Sequence, residues 1–186
     1  MVTIGIDPSL NSTGICINKN GKCTYYIIVS KMTRKMAEFK NDYIHIISYP
    51  KSDTNKKTNR YDVIEENKAR NIHNICSIVG DIIRQYKNEC VCVYMEGVSY
   101  GSVGSAALVD LSGLNFALRN VFIEESMPFC IVSPSQNKKA ATGNGAADKE
   151  LMVFSWLMVE KHLKNIKDIK IDDLADAFFL SNFERE

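Results

Sequence analysis

Four acids in this 186-residue chain stand where an acid is least expected. Asp7 closes the apolar run Val2-Thr3-Ile4-Gly5-Ile6, just before Pro8 and Ser9 turn the chain away. Glu96 closes a second apolar run, Val93-Tyr94-Met95. Asp173 and Asp176 lie three apart, on one face of a helical stretch, with Asp172 ahead of them placed to cap it. A carboxylate at the tip of a buried strand is half desolvated and must find a cation or a donor. If the two strands are neighbours and the helix crosses their ends, the four acids repel one another unless protons or cations intervene. Hard divalent ions relieve that repulsion, and an all-oxygen donor set suits Mg²⁺ or Mn²⁺. Two ions about 3.5–4 Å apart would clamp the attacking water and the leaving oxygen of an in-line phosphodiester displacement. Taken singly, a strand-end acid such as Asp7 reads equally well as a turn residue, and Asp173 and Asp176 read better as solvated helix acids; the chemistry lies in their joint placement.

The elements that must position them are legible from hydrophobic period. Residues 2–7 read as a strand. Residues 13–18 and 23–30 read as two more, joined through the hairpin signal Asn20-Gly21, so the first three strands should be antiparallel neighbours. Residues 31–60 are polar and weakly patterned, and are expected to form an insertion or mobile loop. Ile64, Ile72, Ile75, Val79, Ile82 and Tyr86 recur at helical spacing and predict a helix from Tyr61 to about Lys87. A strand from Cys90 to Glu96, a Gly/Ser-rich loop and a helix from Ala106 to about Ile123 follow. Residues 128–132 read as the last strand. A short lysine-bearing helix begins at Ser133-Pro134-Ser135, another runs from about Asp148 to Leu163, and the last from about Asp172 to Asn182. Antiparallel strands followed by helical crossovers predict a mixed five-stranded sheet with helices on both faces, in one domain spanning 1–186.

Composition bounds the partners. Hydrophobic residues make up 45% of the chain, as in a globular protein, and no apolar run is long enough to span a membrane. The six cysteines form no C-x-x-C pair and read as free thiols in a reducing, cytoplasmic compartment. His45, His73 and His162 show no zinc spacing. A net charge of +1 leaves nucleic-acid binding open. Between residues 31 and 60, however, eight lysines and arginines face only Glu38, Asp42 and Asp53, either as a solvated loop or as a phosphate-facing one. The Lys-, Asn- and Ile-rich composition suits an AT-rich source such as a phage or virus.

Ile4-Gly5-Ile6-Asp7-Pro8-Ser9-Leu10-Asn11-Ser12-Thr13-Gly14 resembles the first motif of the RuvC family of Holliday-junction resolvases, which have a ribonuclease-H-like fold. Met95-Glu96-Gly97 is similar to its second acidic motif. Ser133-Pro134-Ser135 through Lys138, then Gly143 to Lys149, resembles its lysine-bearing segment, and Asp172-Asp173-Leu174-Ala175-Asp176-Ala177 its closing motif. The resemblance implies a homodimer that straddles a four-way DNA junction and nicks two strands symmetrically, leaving ligatable ends. It implies Asp7, Glu96, Asp173 and Asp176 as ligands of divalent metal, Lys149 as a catalytic residue, and Lys138 and Lys149 as DNA contacts holding phosphate or offsetting transition-state charge. Ser99 stands where the family often carries an aromatic that stacks on a base. Tyr100, one residue on, would supply that face. The long helix from Ala106 is the expected dimer seam.

Other readings share parts of this pattern. A flap or general branch-cutting nuclease, or a ribonuclease H, uses the same acids. An actin-like ATP-binding domain also begins Gly-Ile-Asp, but it needs a second glycine-rich phosphate loop and a second domain, and no small-molecule cofactor is expected here. A non-catalytic DNA-binding module would not need the acidic set.

Overall fold

In the computed structural model, which describes residues 1–98, 105–164, 166, 169 and 171–184, the chain folds around one mixed sheet. Its strands are β1 (Val2–Asp7), β2 (Ser12–Lys19), β3 (Lys22–Val29), β4 (Ile44–Ser48), β5 (Cys90–Glu96) and β6 (Phe129–Val132). They lie in the order β4-β3-β2-β1-β5-β6. The β2–β3 hairpin turns at Asn20 (φ 53°) and Gly21 (φ 82°), two left-handed residues in succession, as the Asn-Gly pair predicts. β1–β2 and β2–β3 pair antiparallel, whereas β1–β5, β5–β6 and β3–β4 pair parallel. The C-terminal ends of β1, β3, β4, β5 and β6 therefore share one rim of the sheet.

Helices α2 (Tyr61–Arg84) and α3 (Ser105–Glu124) cover one face, and α5 (Lys149–Val159) and α6 (Ile171–Ser181) the other; α1 (Arg34–Glu38) and α4 (Pro134–Thr142) are short. Alternation along the strands divides the core between the faces. Ile4, Ile6, Ile15, Ile17, Val93 and Met95 pack toward Ile75, Val79 and Leu118. Cys16, Tyr25 and Ile27 pack toward Trp156, Leu174 and Phe178.

The sheet has six strands where the sequence predicts five. The extra one, β4, lies within residues 31–60, expected as a polar insertion or loop, and so does α1. β4 pairs with β3 alone at the sheet's edge. Only Ile44 is fully buried while His45 and Ser48 are exposed, so its five residues carry little of the alternation that marks a half-buried strand.

Candidate active site

Asp7 and Glu96 come together by register and alternation. The last β1–β5 pair is Ile6↔Met95, and each acid follows immediately, at the tip of parallel neighbouring strands. Ile6 and Met95 point into the core beneath α2 and α3. One residue on, both carboxylates therefore turn to the opposite face, the face α6 crosses.

Two glycines bring α6 close enough to matter. A Cβ on Gly5 would stand 2.0 Å from the Ala177 carbonyl oxygen and 2.4 Å from the Ser181 amide nitrogen, and one on Gly14 would stand 2.2 Å from the Asp173 carbonyl oxygen. No residue with a side chain fits at either position with the helix where it lies. The Thr3 hydroxyl also donates to the Ser181 carbonyl at 2.6 Å, pinning the far end of α6. Held directly on β1 and β2, the first turns of α6 place Asp173 and Asp176 over the strand tips.

The electrostatics report this crowding. Burial, then the charges of Glu96, Asp176 and Asp173, push the Asp7 carboxyl well above its usual range, and Lys149 opposes them. Glu96 is pushed up to about 7 by burial and then by Asp176, against a hydrogen bond from Asn137 and the charges of Lys138 and Lys149. Asp176 is pushed up to about 6, first by burial. Asp173 is buried and accepts a short hydrogen bond from the Ser12 hydroxyl. Lys149, on the first turn of α5, pairs with Asp172 at 2.7 Å and is held above its usual value by that partner. Asp172 thus lies within the first turn of α6 as the partner of Lys149, not ahead of the helix as its cap. Lys138 stands on α4, half-buried. Ser99 and Tyr100 lie outside the described residues.

Sequence reasoning passed over Asn137, Ser12 and Asn115. Asn137 is fully buried. Its Nδ2 donates to Glu96 Oε2 at 3.4 Å and to the Asp176 carbonyl at 3.3 Å, and its Oδ1 is the one buried side-chain oxygen or nitrogen among the described residues with no partner. Asn115 Nδ2 holds the Glu96 carbonyl at 2.9 Å, and its Oδ1 takes two bonds from Arg119. Asn137 sits in a short lysine-bearing helix, Asn115 within α3 and Ser12 at the start of β2; a lone polar residue in such an element gives no sign of what it faces, so these positioning contacts left no mark in the pattern.

The donor set suits a hard dication: oxygen ligands only, ionised at a cost, with an unpartnered amide oxygen beside them. Among the described residues no three acid, histidine or cysteine groups form a closed metal cage. The acids stand as mutually repelling neighbours instead.

A six-stranded mixed sheet with helices on both faces, and acids from β1, β5 and α6 gathered at one rim, defines the ribonuclease-H-like class of nuclease folds. A sequence profile of the family described as crossover junction endodeoxyribonuclease RuvC matches residues 52–181. The chain belongs to that family. Among solved structures it is similar to Thermus thermophilus RuvC, at 19% identity and a TM-score of 0.55 over 97% of this chain and 91% of that one. It is also similar to T. thermophilus RuvC in complex with Holliday junction substrate, at 16% identity and a TM-score of 0.61 over 97% and 90%. No curated protein sequence matches it.

Proposed function

We propose that this protein is a crossover junction endodeoxyribonuclease that resolves four-way DNA junctions by divalent-metal-dependent phosphodiester hydrolysis, working as one domain over residues 1–186. The observation that carries the reading is the meeting of acids from three separate elements on the α6 face of one rim, where burial and then the neighbouring acids raise the proton affinity of Asp7 and Glu96. A cluster that repels itself at neutral pH is poor structure and a good site for dications. Asp7, Glu96, Asp173 and Asp176 would hold the ions, Mg²⁺ or Mn²⁺ and two per site. Bound there, they would supply a nucleophilic water at neutral pH and neutralise charge on the leaving oxygen.

The chain's own residues do the rest. Asn137 steadies Glu96 by a hydrogen bond from below. Ser12 fixes Asp173. Lys149 and Lys138 offset negative charge at the rim and hold the phosphate that enters it, and Lys149 acts as the catalytic one of the two. Ser99 and Tyr100 follow Glu96 closely and would meet the bases beside the cut.

Paired nicks need two sites related by a twofold axis, so the working unit is a homodimer. Val109, Phe116 and Ile123 stand exposed at seven-residue intervals along α3, an apolar stripe that a second copy would cover. No described helix is long and apolar enough to cross a membrane, and all six thiols are free; the enzyme works in a reducing, cytoplasmic setting, the host's if the source is viral.

The test compares cleavage of a mobile four-way junction, a three-way flap and an RNA–DNA hybrid with Mg²⁺. The junction should be cut at paired, symmetric positions and the others far less. Equal cutting of all three would overturn the resolvase reading in favour of a broader nuclease. Asp7→Asn should lose cleavage and keep junction binding, and undiminished cutting by that variant would remove Asp7 from the metal site.

A further inference from the structure

The segment between β4 and α2 is hydrogen-bonded along its length. It leaves the sheet at the same rim as Asp7 and Glu96, because β4 runs parallel to β3 and β3 runs in the same sense as β1. Three asparagines on α2, spaced i, i+4 and i+7, hold its backbone: Asn67 donates to the Asp53 carbonyl at 2.6 Å, Asn71 to the Ser52 carbonyl at 3.1 Å, and Asn74 to the Pro50 carbonyl at 3.3 Å. Asn71 is buried and also accepts from the Ser52 amide at 2.7 Å. The far side of the segment closes on itself around the Asp53 carboxylate, which accepts from the Asn55 amide, Thr58 and Asn59.

The same segment is tied to the loop that follows Asp7. The Tyr49 hydroxyl donates to the Leu10 carbonyl at 2.8 Å and Lys51 Nζ to Asn11 Oδ1 at 2.9 Å, while the Ser30 amide at the end of β3 donates to the Asn11 carbonyl at 3.1 Å. Most other cations near it are neutralised: Arg60 pairs with Asp62, Arg70 with Glu66, and Lys68 with Glu65 and Asp110. Lys31, Lys51, Lys56 and Lys57 are exposed and form no ion pair among the described residues.

We infer that residues 49–59 form a fixed basic strap that grips the phosphate backbone of a DNA arm on the β4 side of the acidic rim. The inference rests on the nuclease reading of that rim and adds to it a second contact line away from the reacting phosphate. An ordered strap suits this role better than a loose one, because lysines on a pinned backbone lose less freedom on binding. Three strand spacings separate β4 from β1, about 14 Å at about 4.8 Å each. At about 3.4 Å per nucleotide along the axis, the strap reaches phosphates about four nucleotides from the one at Asp7. Phosphates are shared by every sequence and by every arm, so this grip supplies affinity and register but no base preference.

The test measures the salt dependence of binding, in EDTA, to a four-way junction and to a linear duplex of the same sequence. Each lost phosphate contact should lower the slope of log K against log salt by about 0.9. Lys51→Ala/Lys56→Ala/Lys57→Ala should therefore lower it by about two to three and weaken binding roughly a hundredfold at 0.15 M salt. Because Lys51 also touches the Asp7 loop, Lys56→Ala/Lys57→Ala is the second variant; it should lower the slope by about two. Lys22→Ala, in the β2–β3 hairpin at the opposite end of the sheet, should leave it unchanged. Neutral methylphosphonate linkages about four nucleotides from the cut should weaken the wild type and leave the triple variant indifferent. An unchanged slope in both strap variants, or a drop no larger than that of Lys22→Ala, overturns the strap. Wild-type protein that shows no preference for the junction over the duplex sinks the resolvase reading while the slopes still decide the strap.

Discussion

Removing an acid from this site should make the metal-free protein more stable, and Glu96→Gln is the cleanest way to see it. Glu96 stands at about 7 against its usual 4.5, chiefly through burial and secondly through Asp176. Each tenfold change in proton affinity is worth about 1.4 kcal/mol, so ionising Glu96 within the fold costs roughly 3 kcal/mol, and roughly 2–3 after allowing for its open edge. The sign follows from linkage. A group whose folded value is raised contributes its full stability below the unfolded value and loses it as pH rises through the folded one. Wild-type protein in EDTA should therefore lose stability between about pH 4.5 and pH 7, the window set by the two values for Glu96, with Asp176 adding to the loss as it passes its own value of about 6. Glutamine keeps an oxygen for the Asn137 bond and carries no charge to lose. In urea titrations at pH 8 the variant should be more stable by about 2–3 kcal/mol, or about 4–12 °C in Tm for a chain of this size; at pH 4.5 the two should agree closely. Mg²⁺ should raise the Tm of the wild type and move the variant much less. A variant that is less stable at pH 8, or a difference that does not change with pH, would refute the claim that Glu96 is ionised at a cost within the fold.

Gly5→Ala should destabilise by about 3 kcal/mol, at the upper end of overpacking penalties, because the backbone of α6 must lift from β1; a melt within 1–2 °C of wild type would show that the helix yields freely. Asn137→Ala removes the hydrogen bond that holds Glu96 down, so Glu96 should rise further and cleavage should need several-fold more Mg²⁺, with the acid limb of its pH profile displaced upward. An unaltered Mg²⁺ titration would make Asn137 a packing residue only. Phe116→Glu places a charge in the exposed α3 stripe and should leave monomers by sedimentation, with single nicks replacing paired ones.

What the sequence made legible was whatever depends on period and punctuation. Strands β1, β2, β3, β5 and β6 appear within a residue or two of their places, and so does α3, because each buries a continuous face; α5 starts where expected but ends at Val159, four residues short of Leu163. α2 ends at Arg84, a few residues short of the apolar periodicity that runs on to Tyr86. The positions of Asp7 and Glu96 at strand tips were readable, since an acid closing an apolar run has few other places to be. β4 escaped because an edge strand satisfies one neighbour only and needs little apolar surface. The asparagine ladder on α2 escaped for a related reason: Asn67, Asn71 and Asn74 face a strap backbone, not a core, so their period is written in residues that ordinarily signify exposure.

The glycines join these two levels. Gly5 in Ile4-Gly5-Ile6-Asp7 and Gly14 in Thr13-Gly14-Ile15 read in sequence as weak points within strands, where a missing side chain costs stability. In the fold they are two places where the backbone of α6 lies directly against the sheet. With any larger residue there, α6 would stand off by the depth of a side chain, and Asp173 and Asp176 would no longer overhang Asp7 and Glu96. The glycine before the first acid and the two aspartates near the end of the chain are thus one device: contact between α6 and the sheet forces like charges together. The resulting crowding of like charges is the property on which the proposed dication site rests.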